Sequence, residues 1–261
     1  MKQIPILDQK FYHKPSLFQP QNLLREARRQ KEINESEIPE ICILDPDGDI
    51  SDYVIQYQNA RLNKAWACYH TKLYQFTLGD FSVGIIGRAV GSSFAVLVAE
   101  QLFASGCRLL VSMTSAGQLA QRLSPPYFIL IEKSIRDEGT SYHYLPPADF
   151  SFLNTRIKGK LDHAFEKLDV EIFSGTSWTT DAPYRETQEA IDHYKNMGVH
   201  AVEMEASALY AFAEAKDKSV VCFAHVTNQM ASIDGDFEKG ENNGSRDALK
   251  VLLRAIEHLS K

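Results

Sequence analysis

The sequence predicts an α/β protein, with a mainly parallel or mixed sheet covered by helices on both faces. Three observations carry that expectation. Short apolar runs of strand length recur along the chain. Most are followed by a segment whose apolar residues fall at helical spacing. Many of the joints between them carry glycine, aspartate, serine or threonine, the residues of turns and caps. Such alternation implies strand-to-strand connections that cross over through helices.

Residues 1–20, rich in proline, glutamine and aromatics, are expected to form an extended arm. Residues 21–33 (QNLLREARRQKEI) predict a helix, with Leu23, Leu24 and Ala27 at helical spacing, and Pro39 ends this first region, 1–40. The rest, 41–261, is expected to be one domain. It opens with a short buried strand, Ile41–Leu44, and a turn, DPDGDI, with Gly48 at its centre. Phe81–Gly87 is a strand entering a glycine-rich turn, and SSFAVLVAEQLFASG is a helix ending at Gly106. A strand over Arg108–Met113 opens into a TSAG turn, and YFILIEKSI is another strand. A helix over 156–169 leads to the strand VEIFSGTSW, then to the helix RETQEAIDHYKNMG closed by Gly198. AVEMEASALYAFAEAK starts as a strand and becomes a helix, SVVCFAHVTN is a strand, and DALKVLLRAIEHLSK is a C-terminal helix.

Composition narrows the function. The net charge of -6, without a basic run, disfavours nucleic-acid binding, because phosphate contacts need clustered cations. No apolar run approaches the roughly 20 residues needed to cross a bilayer. MKQIPILDQK lacks the apolar core of a signal peptide, so the expected address is the cytoplasm. Cys42, Cys68, Cys107 and Cys222 form no CxxC pair and read as buried reduced thiols, and no metal site is expected.

In α/β sheets ligands sit beyond the carboxyl ends of the strands. DPDGD, GRAVGSS, TSAG, TTDAPYRET, VEMEA and TNQM all fall at such ends, which points to a small-molecule site. In VEMEA, Glu203 and Glu205 flank Met204. Residues two apart in an extended segment share a side, so the two carboxylates suit a vicinal diol; alternatively they are solvated residues at a helix N-terminus. TSAG offers the hydroxyls of Thr114 and Ser115, and Gly117 permits close backbone approach, so it is either an anion nest or an ordinary turn. In GRAVGSS, Arg88 supplies a cation, and Ser92 and Ser93 suit helix capping.

Together these segments resemble the nucleoside phosphorylase family. The strongest match is GVHAVEMEASALYAFA (Gly198–Ala213), which is similar to the family's ribose-binding signature. TSWTTDAPYRET (Thr176–Thr187), with Trp178, Asp181 and Tyr184, resembles the segment over the base. RDEGTSYHYLPP (Arg136–Pro147) resembles a loop of several branches, and FAHVTNQM the strand ending beside the base. The resemblance runs from about Ile41 to the C-terminus.

It implies a three-layer α/β/α sandwich with a mixed, partly barrel-like sheet. The implied reaction is cleavage of a purine or pyrimidine nucleoside by phosphate to free base and ribose 1-phosphate. No cofactor is implied, and the implied assembly is a homodimer or homohexamer. Glu205, with Glu203 and Met204, would hold the ribose, and His143 its 5′ hydroxyl. Gly48, Thr114, Ser115 and Arg88 would hold phosphate. Gly117, Trp178, Asp181, Tyr184 and Asn228 would border the base, with Asn228 and Arg88 serving catalysis.

Three departures from the family pattern stand out. Asn228 occupies the position of an aspartate that protonates purines, and an amide cannot act as a general acid. Ser112 stands where a phosphate-binding arginine is usual, and GDISDYV lacks the other, leaving Arg88, or Arg61 or Lys72 across a subunit boundary, to compensate. Pro183 replaces a base-stacking aromatic, a contact open to Trp178 or Tyr184 unless these pack in the core. His225, on an expected central strand, reads as a satisfied core residue. The alternatives to phosphorolysis are hydrolysis on the same fold and non-catalytic nucleoside binding.

Overall fold

A computed structural model describes residues 4–34, 36–120, 122–230 and 236–260. Residues 1–3 of the expected arm and residue 261 of the expected C-terminal helix lie outside the described residues. The strands are β1 (Ile41–Asp45), β2 (Arg61–Leu62), β3 (Tyr74–Leu78), β4 (Phe81–Gly87), β5 (Leu109–Gln118), β6 (Tyr127–Asp137), β7 (Phe150–Phe152), β8 (Ile172–Thr180), β9 (Ala201–Glu203) and β10 (Ser219–Asn228). The helices are α1 (Pro20–Lys31), α2 (Asp49–Tyr57), α3 (Ser92–Ala104), α4 (Thr155–Leu161), α5 (Gln188–Asn196), α6 (Ala206–Lys216) and α7 (Ser245–Leu259).

The strands form one mixed sheet in the order β10-β6-β8-β9-β5-β1-β4-β3-β2, with β7 on β6. Because β10 also pairs with β5, the strands β5, β10, β6, β8 and β9 close on themselves, and β1 to β4 extend as an open wing. Helices α1, α3 and α6 pack together, and α2, α4 and α7 form a second group, completing the three layers. Burial on both faces explains why β1, β5 and β10 read as nearly continuous apolar runs rather than alternating ones.

One irregularity positions the site. Along one edge β5 pairs with β1 through Leu109–Ser112, and with β9 only from Gly117 onward. Residues 113–116 have no strand partner on that edge, because β1 has ended and β9 has not begun. On the other edge β10 holds them extended, aligning Ala224 with Thr114 and His225 with Ser115.

This register corrects the sequence reading of TSAG: it is strand interior, not a turn. The expected helix over 156–169 stops at Leu161. Apolar spacing does continue through Ala164, Phe165 and Leu168, which pack on the core, but His163 adopts a left-handed φ of 62° that breaks the helix. Helix α2 is absent from the sequence reading, which places only the DPDGDI turn here, although Ile50, Tyr53, Val54 and Tyr57 have helical spacing. Its start needs Gly48, whose φ is +92°, and since glycine has no capping side chain, Asp45 Oδ2 accepts from the Ser51 N–H at 2.7 Å instead. No described helix is long and apolar enough to cross a membrane.

Candidate active site

Glu205 precedes α6 and is 1% exposed. Its Oε1 accepts from the Gly91 N–H at 2.7 Å and its Oε2 from the Thr114 hydroxyl at 2.8 Å. These bonds bring together the ends of three segments distant in sequence: GRAVGSS, TSAG and VEMEA. Burial pushes the Glu205 carboxyl up to about 8, and the neighbouring Glu203 adds to the rise. Each oxygen has accepted one bond in this arrangement and retains capacity for another.

Glu203 is also buried but plays a different part. Its Oε1 accepts from Thr179, Ser177 and Ser134 at 2.5, 3.0 and 3.3 Å. Its Oε2 accepts from the N–H groups of Glu205 and Ala206, both at 2.7 Å, at the start of α6. With five donors on two oxygens, Glu203 is saturated and fastens α6 to β8. The sequence expectation that both carboxylates face one ligand is therefore corrected. The chain leaves extended geometry at Glu205 (φ -132°, ψ -38°), which sends the two side chains to different partners. Met204, half-buried between them, accepts from the Ser92 hydroxyl through its carbonyl at 2.8 Å, so Ser92 ties α3 to this junction.

Thr114, the hydroxyl partner of Glu205, also lines a small cleft with Asp45, Asp47, Asp49, Ser115 and His225. Asp47 meets Ser115 twice: Oδ1 accepts from the hydroxyl at 2.6 Å and Oδ2 from the backbone N–H at 2.7 Å. That N–H is free for a side chain because residues 113–116 lack a strand on this edge. Arg88, in a left-handed conformation, lies against Gly48, where an added Cβ would meet its side chain at 3.0 Å. The guanidinium forms a bidentate pair with Asp52 at 3.1 and 2.6 Å. Lys239 pairs with Asp49 at 2.5 Å. Burial pushes the Asp45 carboxyl up to about 7, and burial with Lys239 lowers His225 to about 4, so His225 is a neutral ring here, stacked on Phe128.

On the other side of the cluster, Asn228 aligns with Gly117 at a bulge between β10 and β5. Its Oδ1 accepts from the Met230 N–H at 3.0 Å. A side chain at Gly117 would meet Met230 Sδ at 2.6 Å and Asn228 Oδ1 at 3.3 Å. Other residues expected at the base are placed elsewhere. Trp178 is 3% exposed, donates to Asp137 at 2.9 Å and packs against Tyr194, Val202 and Leu119, so it belongs to a small core under α5. Tyr184 is 99% exposed. Asp181 Oδ2 accepts from the Gly139 N–H at 2.8 Å, joining two loops. His143 is held against the N-terminal arm, 3.3 Å from Lys10 Nζ, in a groove with Phe11, Leu97 and Tyr144. Within one chain it is not brought to the Glu205 cluster.

The residues that sequence reasoning missed are Asp47, Lys239 and the Gly91 N–H. Three aspartates in DPDGD were a visible signal, but their partners are too distant in sequence to infer: Asp47 and Ser115 are separated by 68 positions.

Comparison with known proteins agrees with this architecture. A family model described as the phosphorylase superfamily matches residues 41–257. Guanosine phosphorylase of Halorubrum lacusprofundi is 25% identical over 244 residues, covering 87% of this chain and 97% of that protein. Among solved structures, a uridine phosphorylase from Vibrio fischeri superposes with a TM-score of 0.73 at 17% identity, covering 89% of this chain and 98% of that one. Purine nucleoside phosphorylase from Toxoplasma gondii, in complex with immucillin-H, gives 0.74 at 15%, covering 87% and 93%. A family model that covers residues 41–257, most of the sequence, shows the family: the chain belongs to the phosphorylase superfamily.

Proposed function

We propose that the protein cleaves the N-glycosidic bond of a nucleoside by phosphorolysis, releasing free base and ribose 1-phosphate. The observation that carries this reading is Glu205. A buried carboxyl with spare hydrogen-bonding capacity on both oxygens suits the paired hydroxyls of a ribose. In this reading phosphate lies on the Ser115, Gly48 and Arg88 side of the cleft. The C1′–N bond breaks as a phosphate oxygen bonds C1′. Positive charge developing on the sugar is balanced by the phosphate. Asn228 hydrogen-bonds the base without supplying its proton, which comes from phosphate or water.

Hydrolysis is the second reading, favoured by one observation: both donors of Ser115 are already taken by Asp47. The two are separated by incubating the protein with purine and pyrimidine nucleosides, with and without phosphate, and following free base. Phosphate-dependent release supports phosphorolysis. Release without phosphate supports hydrolysis, and binding without release would leave a nucleoside-binding protein.

A further inference from the structure

We propose that Asp47 sets the selectivity of this site for the attacking group, by occupying with its own carboxylate the two donors an incoming oxyanion would use. The inference rests on the reading above that the attacking group approaches at Ser115.

The contact is bidentate. One oxygen of Asp47 takes the Ser115 hydroxyl and the other takes the backbone N–H of the same residue. A carboxylate and a phosphate present paired oxygens to such a donor pair in the same way, so the two compete for it. The arrangement follows from the fold. Ser115 lies where one edge of β5 is unpaired, and Asp47 is the exposed residue between buried Pro46 and Gly48, just past the end of β1.

The surrounding charges act in the same direction. Asp45 and Asp49 stand near Asp47, and among the described residues the neighbouring cations are engaged: Arg88 with Asp52, Lys239 with Asp49. His225 beside Ser115 is neutral. A phosphate arriving at Ser115 must displace one carboxylate and approach others, with each nearby cation already paired. A water molecule carries no charge and meets no such opposition. Asp47 is thus a positioning residue whose presence weakens phosphate and spares water.

The test compares the full-length protein with Asp47→Ala. Titration calorimetry with inorganic phosphate alone reads the affinity, and base release over a phosphate series reads KM and kcat separately. Removing the carboxylate is expected to tighten phosphate binding by about tenfold or more, the size of one charge-assisted hydrogen bond regained, and to act on the KM for phosphate. Unchanged or weaker phosphate binding overturns the proposal. Should Asp47→Ala not fold, Asp47→Asn keeps the side-chain volume and loses the charge. A smaller tightening then supports the proposal, and none overturns it. If neither protein cleaves any nucleoside, the glycosidic reading fails, while the phosphate titration still decides the role of Asp47.

Discussion

Replacing Glu205 with glutamine is expected to make the protein more stable and a worse binder. The carboxyl is buried and held at about 8, against an ordinary 4.5. Between 4.5 and pH 7 each pH unit costs the fold about 1.4 kcal/mol, or roughly 3 kcal/mol altogether. Glutamine avoids that cost and nearly preserves shape. Its oxygen can still accept from the Gly91 N–H, and its amide can donate to the Thr114 hydroxyl, which rotates to suit. At pH 7 a carboxyl held at about 8 is mostly protonated, so one neutral hydrogen-bonded group replaces another and the net gain stays at about 3 kcal/mol. For a chain of this size that corresponds to roughly 6–12 °C in Tm. The sign with pH is fixed. A carboxyl raised by folding contributes full stability below its unfolded value and loses it as pH rises towards about 8. The advantage of Glu205→Gln should therefore be near zero at about pH 4.5 and grow up to about pH 8. Nucleoside affinity should fall by about tenfold or more, as the amide presents an N–H donor where the carboxyl presents a second oxygen to the ribose hydroxyls. Thermal denaturation at pH 5 and pH 7, with calorimetric titration of a nucleoside, reads both effects. A variant less stable than the parent at pH 7, or one that binds nucleoside equally well, would refute the reasoning.

Two further substitutions test other parts of the cluster. Gly117→Ala forces a methyl group to within 2.6 Å of Met230 Sδ and against Asn228, and should cost about 1–3 kcal/mol in urea denaturation; an unchanged midpoint would mean that this corner is loosely packed. Asp45→Asn removes a carboxyl that burial holds at about 7. Stability from that group is complete below its unfolded value and is lost as pH rises through about 7, so the variant should flatten the fall in stability across that window by up to about 1.4 kcal/mol per pH unit. Parallel curves for the two proteins would contradict it.

How much of this was legible in the sequence depends on how local each feature is. Strands β4 and β10 follow their apolar runs, because burial on both faces leaves no ambiguity of period. Helix α7 was equally plain from its apolar spacing. The acidic pair around Met204 was visible as a motif, but its geometry was not. The turn out of extended backbone at Glu205 separates side chains that strict alternation would place together. Trp178 was ambiguous for a similar reason: an aromatic near a family motif can stack on a ligand or fill a core, and only the tertiary contacts with Tyr194 and Asp137 decide it. Asp47 was unreadable, since its role depends on strand pairing that leaves Ser115 without a partner.

That unpaired stretch of β5 also bears on solubility. Exposed sheet edges invite other chains to add a strand, a common start of aggregation. Here the open window spans residues 113–116, flanked by β1 on one side and β9 on the other. It is too short to template a foreign strand, yet wide enough for a carboxylate. The fold thereby keeps sheet polar groups on offer to a small guest while denying them to a polymerising one.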